Sequence, residues 1–350
     1  MRRALGILSI LGILLALLAP APQPTTARAP AQEVATEVAA PAERPAPLEP
    51  AAPAAWPAQW PTRSPLSGRL ATPLDGLLRA YRAGGPDAAA DYAQAHRLGA
   101  GDAVRVVVHA DPAISAAALG EKLGEVGFRF ETHHDQRAQG LIPVAELESL
   151  ATYPGVRYVR PPLEPVLDVP ASLDAADGIT ITSEGIAVIG ADVWQAGGYT
   201  GAGVKVAVLD GGFQGYTALL GSELPATVIT HSARSDGDLQ AGEVHGAACA
   251  EIVHDTAPGA ELYLVNFGTD VEYANAVDWI RAQGVDVVSC SLGWPISGPG
   301  DGSDSGPIVP SVINAANDGI LWVNSAGNHA QYHWMGTWAE TTYAGLPCMA

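Results

Sequence analysis

The chain has 350 residues, which exceeds one typical domain and predicts two folded units, or one large unit with tails. Its formal net charge of −19 repels phosphate backbones and anionic lipid surfaces, so nucleic acid and peripheral membrane partners are disfavoured. Three cysteines, Cys249, Cys290 and Cys348, are too few and too widely spaced for a disulfide scaffold or a Cys-x-x-Cys metal site.

The N-terminus has the pattern of a secretory signal. Met1-Arg2-Arg3 precedes an apolar run from Ala4 to Leu18, and small residues with a candidate cleavage site at Ala31 follow. We therefore predict a signal peptide at 1–31 and a secreted protein with no stable membrane span after signal removal. The alternative is a retained single-span anchor, although the apolar run is short for one. Residues 32–65, rich in Ala and Pro, are predicted to be a semi-rigid linker.

Residues 66–165 are predicted to form a small α+β domain. Strand patterns occur at Ala103–His109, Phe128–Thr132 and Val156–Arg160, and helical patterns at Ile114–Val126 and Val144–Ala151. The order fits a β-α-β-β-α-β, ferredoxin-like outline, although its third strand is not assigned to particular residues.

After a connector at 166–178, residues 179–350 alternate Gly-rich turns, apolar strands and helices. This alternation predicts a doubly wound, mostly parallel α/β sheet with helices on both faces. The predicted strands are Val204–Leu209, Ala226–Thr230, Glu261–Asn266, Val285–Cys290 and Ile320–Asn324, and the predicted helices include Val271–Gln283 and Ile308–Asn317.

Three polar side chains are candidates for chemistry at the carboxyl edge of this sheet. Asp210 ends a buried strand, His245 stands at the start of an amphipathic helix, and Asn328 follows another buried strand. Loops beyond the carboxyl ends of parallel strands converge on one crevice, which would bring these groups together. Taken singly, each also suits an ordinary role: a turn aspartate, a surface or capping histidine, and a turn asparagine.

Together these segments resemble the subtilisin family of serine proteases, the subtilases. Asp-Gly-Gly at 210–212 is similar to the family's aspartate motif, and His245-Gly246 with its helix is similar to the histidine motif. Ser291-Leu292-Gly293 resembles the substrate-binding segment, and Ser325-Ala-Gly-Asn328 resembles the oxyanion motif. The four motifs stand in the family's order, and the resemblance covers about 199–328.

The resemblance implies a secreted serine endopeptidase precursor. Asp210 would orient His245, His245 would deprotonate a serine, and Asn328 would donate a hydrogen bond to the oxyanion. The edge at Ser291, Leu292 and Gly293 would pair with extended polypeptide substrates. Residues 66–165 match the position of the family's inhibitory propeptide, which would make the chain's own propeptide a second partner.

The family's Gly-Thr-Ser-x-Ala nucleophile motif does not occur in these 350 residues. We therefore expect an incomplete peptidase domain, with the serine beyond residue 350, and no triad hydrolysis by the chain as given. Cys348 is not expected to replace the serine, because its spacing and support are wrong. The competing hypothesis is a secreted, catalytically inactive subtilase-like binding module.

No cofactor or metal ligand set is predicted with certainty. The loop at 298–306, with Asp301 and Asp304, could bind structural calcium, although a solvated turn fits it better. Cys249 is read as a packed thiol near His245, with mercurial sensitivity as the alternative. A dinucleotide site fails because Gly201 and Gly203 precede their strand instead of following it.

Overall fold

The structure is a computed structural model, and it describes residues 66, 68–99, 102–167, 182–183, 185–294, 306–327, 340–343 and 346–349. All of these lie in one compact unit, Pro61–Ala350. The predicted signal at 1–31 and linker at 32–65 lie outside the described residues, and the connector is described only at 166–167. No helix within the described ranges is long and apolar enough to cross a membrane.

The N-terminal lobe, residues 66–160, contains a four-stranded antiparallel sheet. The strands run in the order β2-β3-β1-β4, which is the arrangement of a β-α-β-β-α-β unit. Its elements are α1 (Thr72–Ala95), β1 (Ala103–Ala110), α2 (Ala116–Lys122), β2 (Arg129–His134), β3 (Arg137–Pro143), α3 (Leu147–Thr152) and β4 (Val156–Arg160), with 3-10 turns at Leu123–Val126 and Val144–Glu146.

Two elements of this lobe were not predicted. Helix α1 was not predicted because Gly84, Gly85 and Pro86 interrupt its sequence. The helix bends at these residues, where Gly85 has a φ of 72°. Strand β3 supplies the missing third strand. Its centre carries the buried Gln139 and Gly140, so it lacks the apolar alternation that marks a strand in sequence.

The C-terminal lobe, residues 182–349, is built on a five-stranded parallel sheet in the order β11-β9-β6-β8-β7. Its strands are β6 (Lys205–Asp210), β7 (Ile229–Ser232), β8 (Glu261–Asn266), β9 (Val287–Cys290) and β11 (Leu321–Asn324). Its helices are α4 (Gly185–Ile189), α5 (Ala191–Ala196), α6 (Tyr216–Leu219), α7 (His245–Thr256), α8 (Asp270–Ala282) and α9 (Val309–Asn317).

Helices cover both faces of this sheet. One core joins Tyr273 and Ile280 of α8 and Ala315 of α9 to inward residues of the strands. The other contains Ala250 of α7 with Val208 of β6.

The predicted mixed α/β fold with a parallel sheet is confirmed. Strand bounds differ from the predictions by at most three residues, and the hairpin of β12 (Glu340–Tyr343) and β13 (Leu346–Met349), which contains Cys348, was not predicted.

The two lobes meet where β2 and β3 contact α8, through a buried carboxylate. Asp270, the first residue of α8, has a fully buried side chain. It accepts hydrogen bonds from Arg137 at 3.0 Å and from Arg160 at 3.1 and 2.5 Å. Burial raises the pKa of Asp270, but the hydrogen bond and positive charge of Arg160 outweigh that effect and hold it below its ordinary value.

A histidine beside this ion cluster is held neutral. Arg160 donates a hydrogen bond from Nε to Nε2 of His109 at 3.0 Å, which requires a lone pair on that nitrogen. Burial, followed by the charges of Arg160 and Arg137, lowers the pKa of His109 to about 4. The cluster therefore carries two guanidinium charges against the Asp270 carboxylate, with the imidazole uncharged at neutral pH.

We expect Arg160→Ala to destabilise the chain strongly, because it leaves the buried Asp270 carboxylate with one guanidinium instead of two. Breaking a buried ion pair from one side typically costs about 3–5 kcal/mol. The measurement is urea unfolding at pH 7. The matched control is Arg82→Ala, because Arg82 pairs with Glu148 and both side chains are about half exposed, at 50% and 49%. Equal unfolding midpoints for the two variants would contradict a structural role for the cluster.

Candidate active site

Asp210 and His245 lie in direct contact at the carboxyl edge of the parallel sheet. Asp210 ends β6 and has a fully buried side chain, and its Oδ1 accepts a hydrogen bond from the Gly211 amide at 2.8 Å. His245 is the first residue of α7, and its Nδ1 lies 2.8 Å from Asp210 Oδ2. An ionised carboxylate can only accept, so we assign the proton to Nδ1, which leaves Nε2 as the free ring nitrogen.

Two glycines allow this contact. The Gly246 amide donates to the Gly212 carbonyl at 3.1 Å, which fixes the first turn of α7 against the loop that follows β6. A Cβ at Gly246 would lie 2.4 Å from that carbonyl oxygen and 2.9 Å from Asp210 Cβ. A Cβ at Gly212 would lie 2.1 Å from the Ala241 carbonyl oxygen. A larger residue at Gly246 would push the helix away from the strand end, and a larger residue at Gly212 would displace the loop that leads into α7.

The buried carboxylate controls the charge of the imidazole. The hydrogen bond to Asp210, followed by the contact with Cys249, raises the pKa of His245 to about 10. Partial burial opposes this shift, but its effect is smaller. In this chain the Asp210–His245 pair is therefore an ion pair at neutral pH.

Cys249 lies one helical turn after His245 and is half-buried. Its Sγ is 3.9 Å from Nε2 and 4.0 Å from Nδ1 of His245. One donor atom from each of Asp210, His245 and Cys249 lies within 4.8 Å of the others, and carboxylate, imidazole and thiolate are all donors that zinc accepts. The sequence analysis assigned no metal to these three residues, and it interpreted Cys249 as a packed thiol near the histidine.

Cys290 differs from Cys249 in being completely buried in the sheet. Burial raises the pKa of its thiol to about 12, so it has little thiolate character at neutral pH. It packs as a small apolar side chain in the core on one face of the sheet.

The segment Ser291–Gly293 follows β9 at the same sheet edge. Its residues 292 and 293 form β10, which pairs antiparallel with β5 (Val166–Leu167) of the connector. Leu167 lies opposite Leu292, and Val166 lies opposite Gly293. The structure therefore places a piece of the chain's own connector along the strand that the sequence marked as a peptide-binding edge.

Asn324 forms a hydrogen bond with this segment, and the sequence analysis did not identify it as a site residue. Its Nδ2 donates to the Leu292 carbonyl at 3.1 Å, and the Ser325 amide donates to the Cys290 carbonyl at 3.1 Å. Asn324 is the last residue of β11. Its position at the carboxyl end of a strand is the signal that could have identified it.

Several predicted residues lie outside the described residues. These include Asn328, the predicted oxyanion donor, and Asp301 and Asp304 of the candidate calcium loop. Residues 325–327, which precede Asn328, leave β11 at the edge where Asp210 ends β6.

Two further histidines, His134 and His254, have other surroundings. His134 Nε2 lies 3.0 Å from the Asp278 carboxylate, and Nδ1 of the same ring lies 3.1 Å from Arg137, so this residue belongs to the lobe interface. His254, near the end of α7, has a buried Nδ1 without a hydrogen-bond partner among the described residues. Neither contacts the Asp210–His245 pair by any hydrogen bond found in the described part of the chain.

A buried carboxylate paired with an imidazole at the carboxyl edge of a parallel α/β sheet is an arrangement in which the histidine can act as a general base. Residues 201–344 match the family model for the subtilase family, peptidase S8. Over that range the chain belongs to the subtilisin-like S8 family.

Curated relatives agree with this assignment. Subtilisin DY of Bacillus licheniformis is 32% identical over 155 residues, which cover 41% of this chain and 54% of that protein. Subtilisin Savinase of Lederbergia lenta is 31% identical over 154 residues, covering 41% and 55%. The chain thus spans about half the length of the curated relatives it matches. Among solved structures, the S393A mutant of the epidermin leader peptide processing serine protease from Staphylococcus aureus aligns with a TM-score of 0.43 and 12% identity, over 65% of this chain and 61% of that one.

We expect His245 to titrate far above the ordinary histidine value, and Asp210→Asn to return its pKa towards 6.5. Because the folded-state pKa is raised, the pair stabilises the fold fully below pH 6.5 and loses that contribution as pH rises towards about 10. The measurement is an NMR titration of the histidine side chains, with urea unfolding at each pH. Asp238→Asn, a loop carboxylate that bonds the Gln240 amide, is the control. A His245 pKa near 6.5 in the unaltered chain would contradict this prediction.

Proposed function

We propose that the protein containing this chain is a secreted serine endopeptidase precursor of the subtilisin type. The observation that carries the proposal is the 2.8 Å contact between His245 Nδ1 and the buried Asp210 carboxylate, within a region that matches the subtilase family. The nucleophilic serine would come from sequence outside these 350 residues. Membership of the S8 family supports polypeptides as the substrate class.

In the proposed mechanism, Asp210 holds the proton on Nδ1 so that Nε2 of His245 faces the serine. Nε2 takes the hydroxyl proton as the serine oxygen attacks the scissile carbonyl, and then returns that proton to the leaving amine. Asp210 stabilises the imidazolium that forms between these steps. Asn328 donates to the oxyanion of the tetrahedral intermediate, a contribution of about 3 kcal/mol in comparable sites.

The high pKa of His245 has a direct consequence for this mechanism. A general base must be unprotonated, and an imidazole with a pKa of about 10 is mostly protonated at pH 7. We therefore propose that peptidase activity increases with pH on the alkaline side of neutrality.

Substrate binding is proposed to use main-chain hydrogen bonds to Ser291, Leu292 and Gly293. The pairing of β5 with β10 supports this, because it shows that an extended segment fits this edge in antiparallel register. The same pairing supports an inhibitory role for the predicted propeptide domain, 66–165, since its connector covers the edge that a substrate would need. Binding of this kind selects extended segments without selecting side chains.

The first test is active-site labelling of the secreted full-length protein with a serine-directed fluorophosphonate. We expect labelling of the mature protein, and both labelling and self-cleavage should be lost in His245→Ala. The matched control is His254→Ala, which removes a second imidazole from the same helix without touching Asp210. Failure of the mature, unaltered protein to label would favour a catalytically inactive binding module instead.

The second test locates self-cleavage. We expect the mature N-terminus to lie between Arg160 and Ile186, and the β5–β10 pairing supports a site shortly after Leu167. N-terminal sequencing of the secreted protein measures it directly. A mature N-terminus upstream of Arg160 or downstream of Ile186 would be incompatible with the connector as the first substrate.

A further inference from the structure

We propose that Asn266 is a positioning residue for the general base: its buried side-chain amide holds the loop that leads into α7 and so keeps His245 at Asp210. This inference rests on the proposed peptidase function and adds a residue to the same site. It is carried by the hydrogen bonds that join Asn266 to residues 236–244, the segment named the histidine loop below.

Asn266 lies at the carboxyl edge of the parallel sheet, directly beside Asp210. It is the last residue of β8 and is completely buried. In the parallel pairing of β6 with β8 it is the partner of Asp210, and the amide of the next residue, Phe267, donates to the Asp210 carbonyl at 3.2 Å. The two strand ends that carry Asp210 and Asn266 are therefore fixed to each other.

The side chain of Asn266 reaches from the sheet to the histidine loop. Its Nδ2 donates to the carbonyl of Asp238 at 3.0 Å and to the carbonyl of Leu239 at 3.1 Å. The Leu239 carbonyl also accepts a hydrogen bond from the amide of Phe213 at 3.0 Å, and Phe213 belongs to the segment that leaves β6. One carbonyl of the loop is thus held both by β8 and by the segment that follows Asp210.

The histidine loop depends on such contacts because it contains only turns and bends, with no helix or strand of its own. A second contact with the segment after β6 is the hydrogen bond from the Gln214 amide to the Glu243 carbonyl, at 3.2 Å. Surface segments with few stabilising contacts open easily, so each contact matters to their position. The loop ends at Val244, directly before His245, and a displacement of the loop is therefore passed on to the first turn of α7.

The contact between His245 and Asp210 tolerates little displacement. The 2.8 Å distance from Nδ1 to Oδ2 is that of a close, charge-assisted hydrogen bond. Misplacing a catalytic group by about 1 Å can cost about a hundredfold in rate. The Asp210 carboxylate is held separately, because its other oxygen accepts from the Gly211 amide at 2.8 Å. Loss of the Asn266 donor should thus move His245 while Asp210 stays in place.

The opposite end of α7 is held by a second amide of the same kind. Gln195 of α5 donates from Nε2 to the carbonyls of Asp255 at 2.7 Å and Thr256 at 3.1 Å. These are the last two residues of the 12-residue helix that begins at His245. Asn266 and Gln195 therefore make the same pair of bonds, to two successive carbonyls, at the two ends of one helix. Gln195 provides a matched control for the bonds of Asn266.

The test is the Asn266→Leu variant. Leucine has a similar size and no donor, and because Oδ1 of Asn266 has no partner among the described residues, the change removes only the two Nδ2 bonds. Two measurements are made: kcat and KM against pH for the mature full-length protein, with a fluorogenic peptide that reproduces residues 160–186, and an NMR titration of His245 in the 350-residue chain.

We expect kcat on the alkaline plateau to fall at least about tenfold, because the imidazole is misplaced. KM should change less than about threefold, since Ser291–Gly293 keeps its place. The pKa of His245 should fall from about 10 towards 6.5 as its bond to Asp210 weakens, and the acid limb of the pH profile should move to lower pH with it. A loss of folded protein alone would lower kcat without moving this limb.

Gln195→Leu should leave both the His245 pKa and the plateau kcat unchanged. Asn266→Ser, which keeps one donor on a smaller side chain, should give intermediate values, and it decides by the same two measurements if Asn266→Leu does not fold. A folded Asn266 variant with the His245 pKa and kcat of the unaltered protein would overturn the positioning role, as would an equal loss in Gln195→Leu.

The two measurements also separate this inference from the function on which it rests. If the unaltered mature protein cleaves no peptide, the proposed peptidase function fails. The titration of His245 in the 350-residue chain requires no serine, so its comparison between Asn266→Leu and Gln195→Leu still decides whether Asn266 positions the imidazole.

Discussion

The close approach of helix α7 to the end of β6 is the constraint on which the candidate site depends. Gly212 and Gly246 meet through a 3.1 Å hydrogen bond, with no side chain between the two backbones. This contact brings His245 to the buried Asp210 carboxylate, which would otherwise be an unpaired charge inside the protein at a large energetic penalty. The glycines in the two motifs therefore have a packing role. They allow the close backbone contact through which the buried Asp210 carboxylate reaches its imidazole partner.

A second buried carboxylate, Asp270, is stabilised in a different way. Asp210 finds its partners, Gly211 and His245, in its own lobe, so the pair can persist whatever the N-terminal lobe does. Asp270 depends on Arg137 and Arg160 from the other lobe. The C-terminal lobe thus contains one buried carboxylate, Asp210, that pairs with a residue of the same lobe. The other, Asp270, pairs with arginines of the N-terminal lobe. The Asp210–His245 geometry is therefore fixed within one lobe, whereas the charge of Asp270 is balanced only while the two lobes are in contact.

Sequence patterns predicted the C-terminal lobe well because its buried parallel strands are continuous apolar runs, and Asp210 follows directly from the end of one of them. Strand β3 was not located, since Gln139 is buried to bond across the lobe interface and so breaks the apolar pattern. Asp270 could not be identified either. In sequence it is an acidic residue in the first turn of a helix after the capping Thr269, and its arginine partners are more than a hundred residues away.

The pairing of β5 with β10 lays an extended segment beside the sheet edge at which Asp210 ends β6. Main-chain pairing with β10 requires an extended segment but is indifferent to its side chains, because the bonds involve only amides and carbonyls. Selection among side chains must therefore come from contacts other than this main-chain pairing.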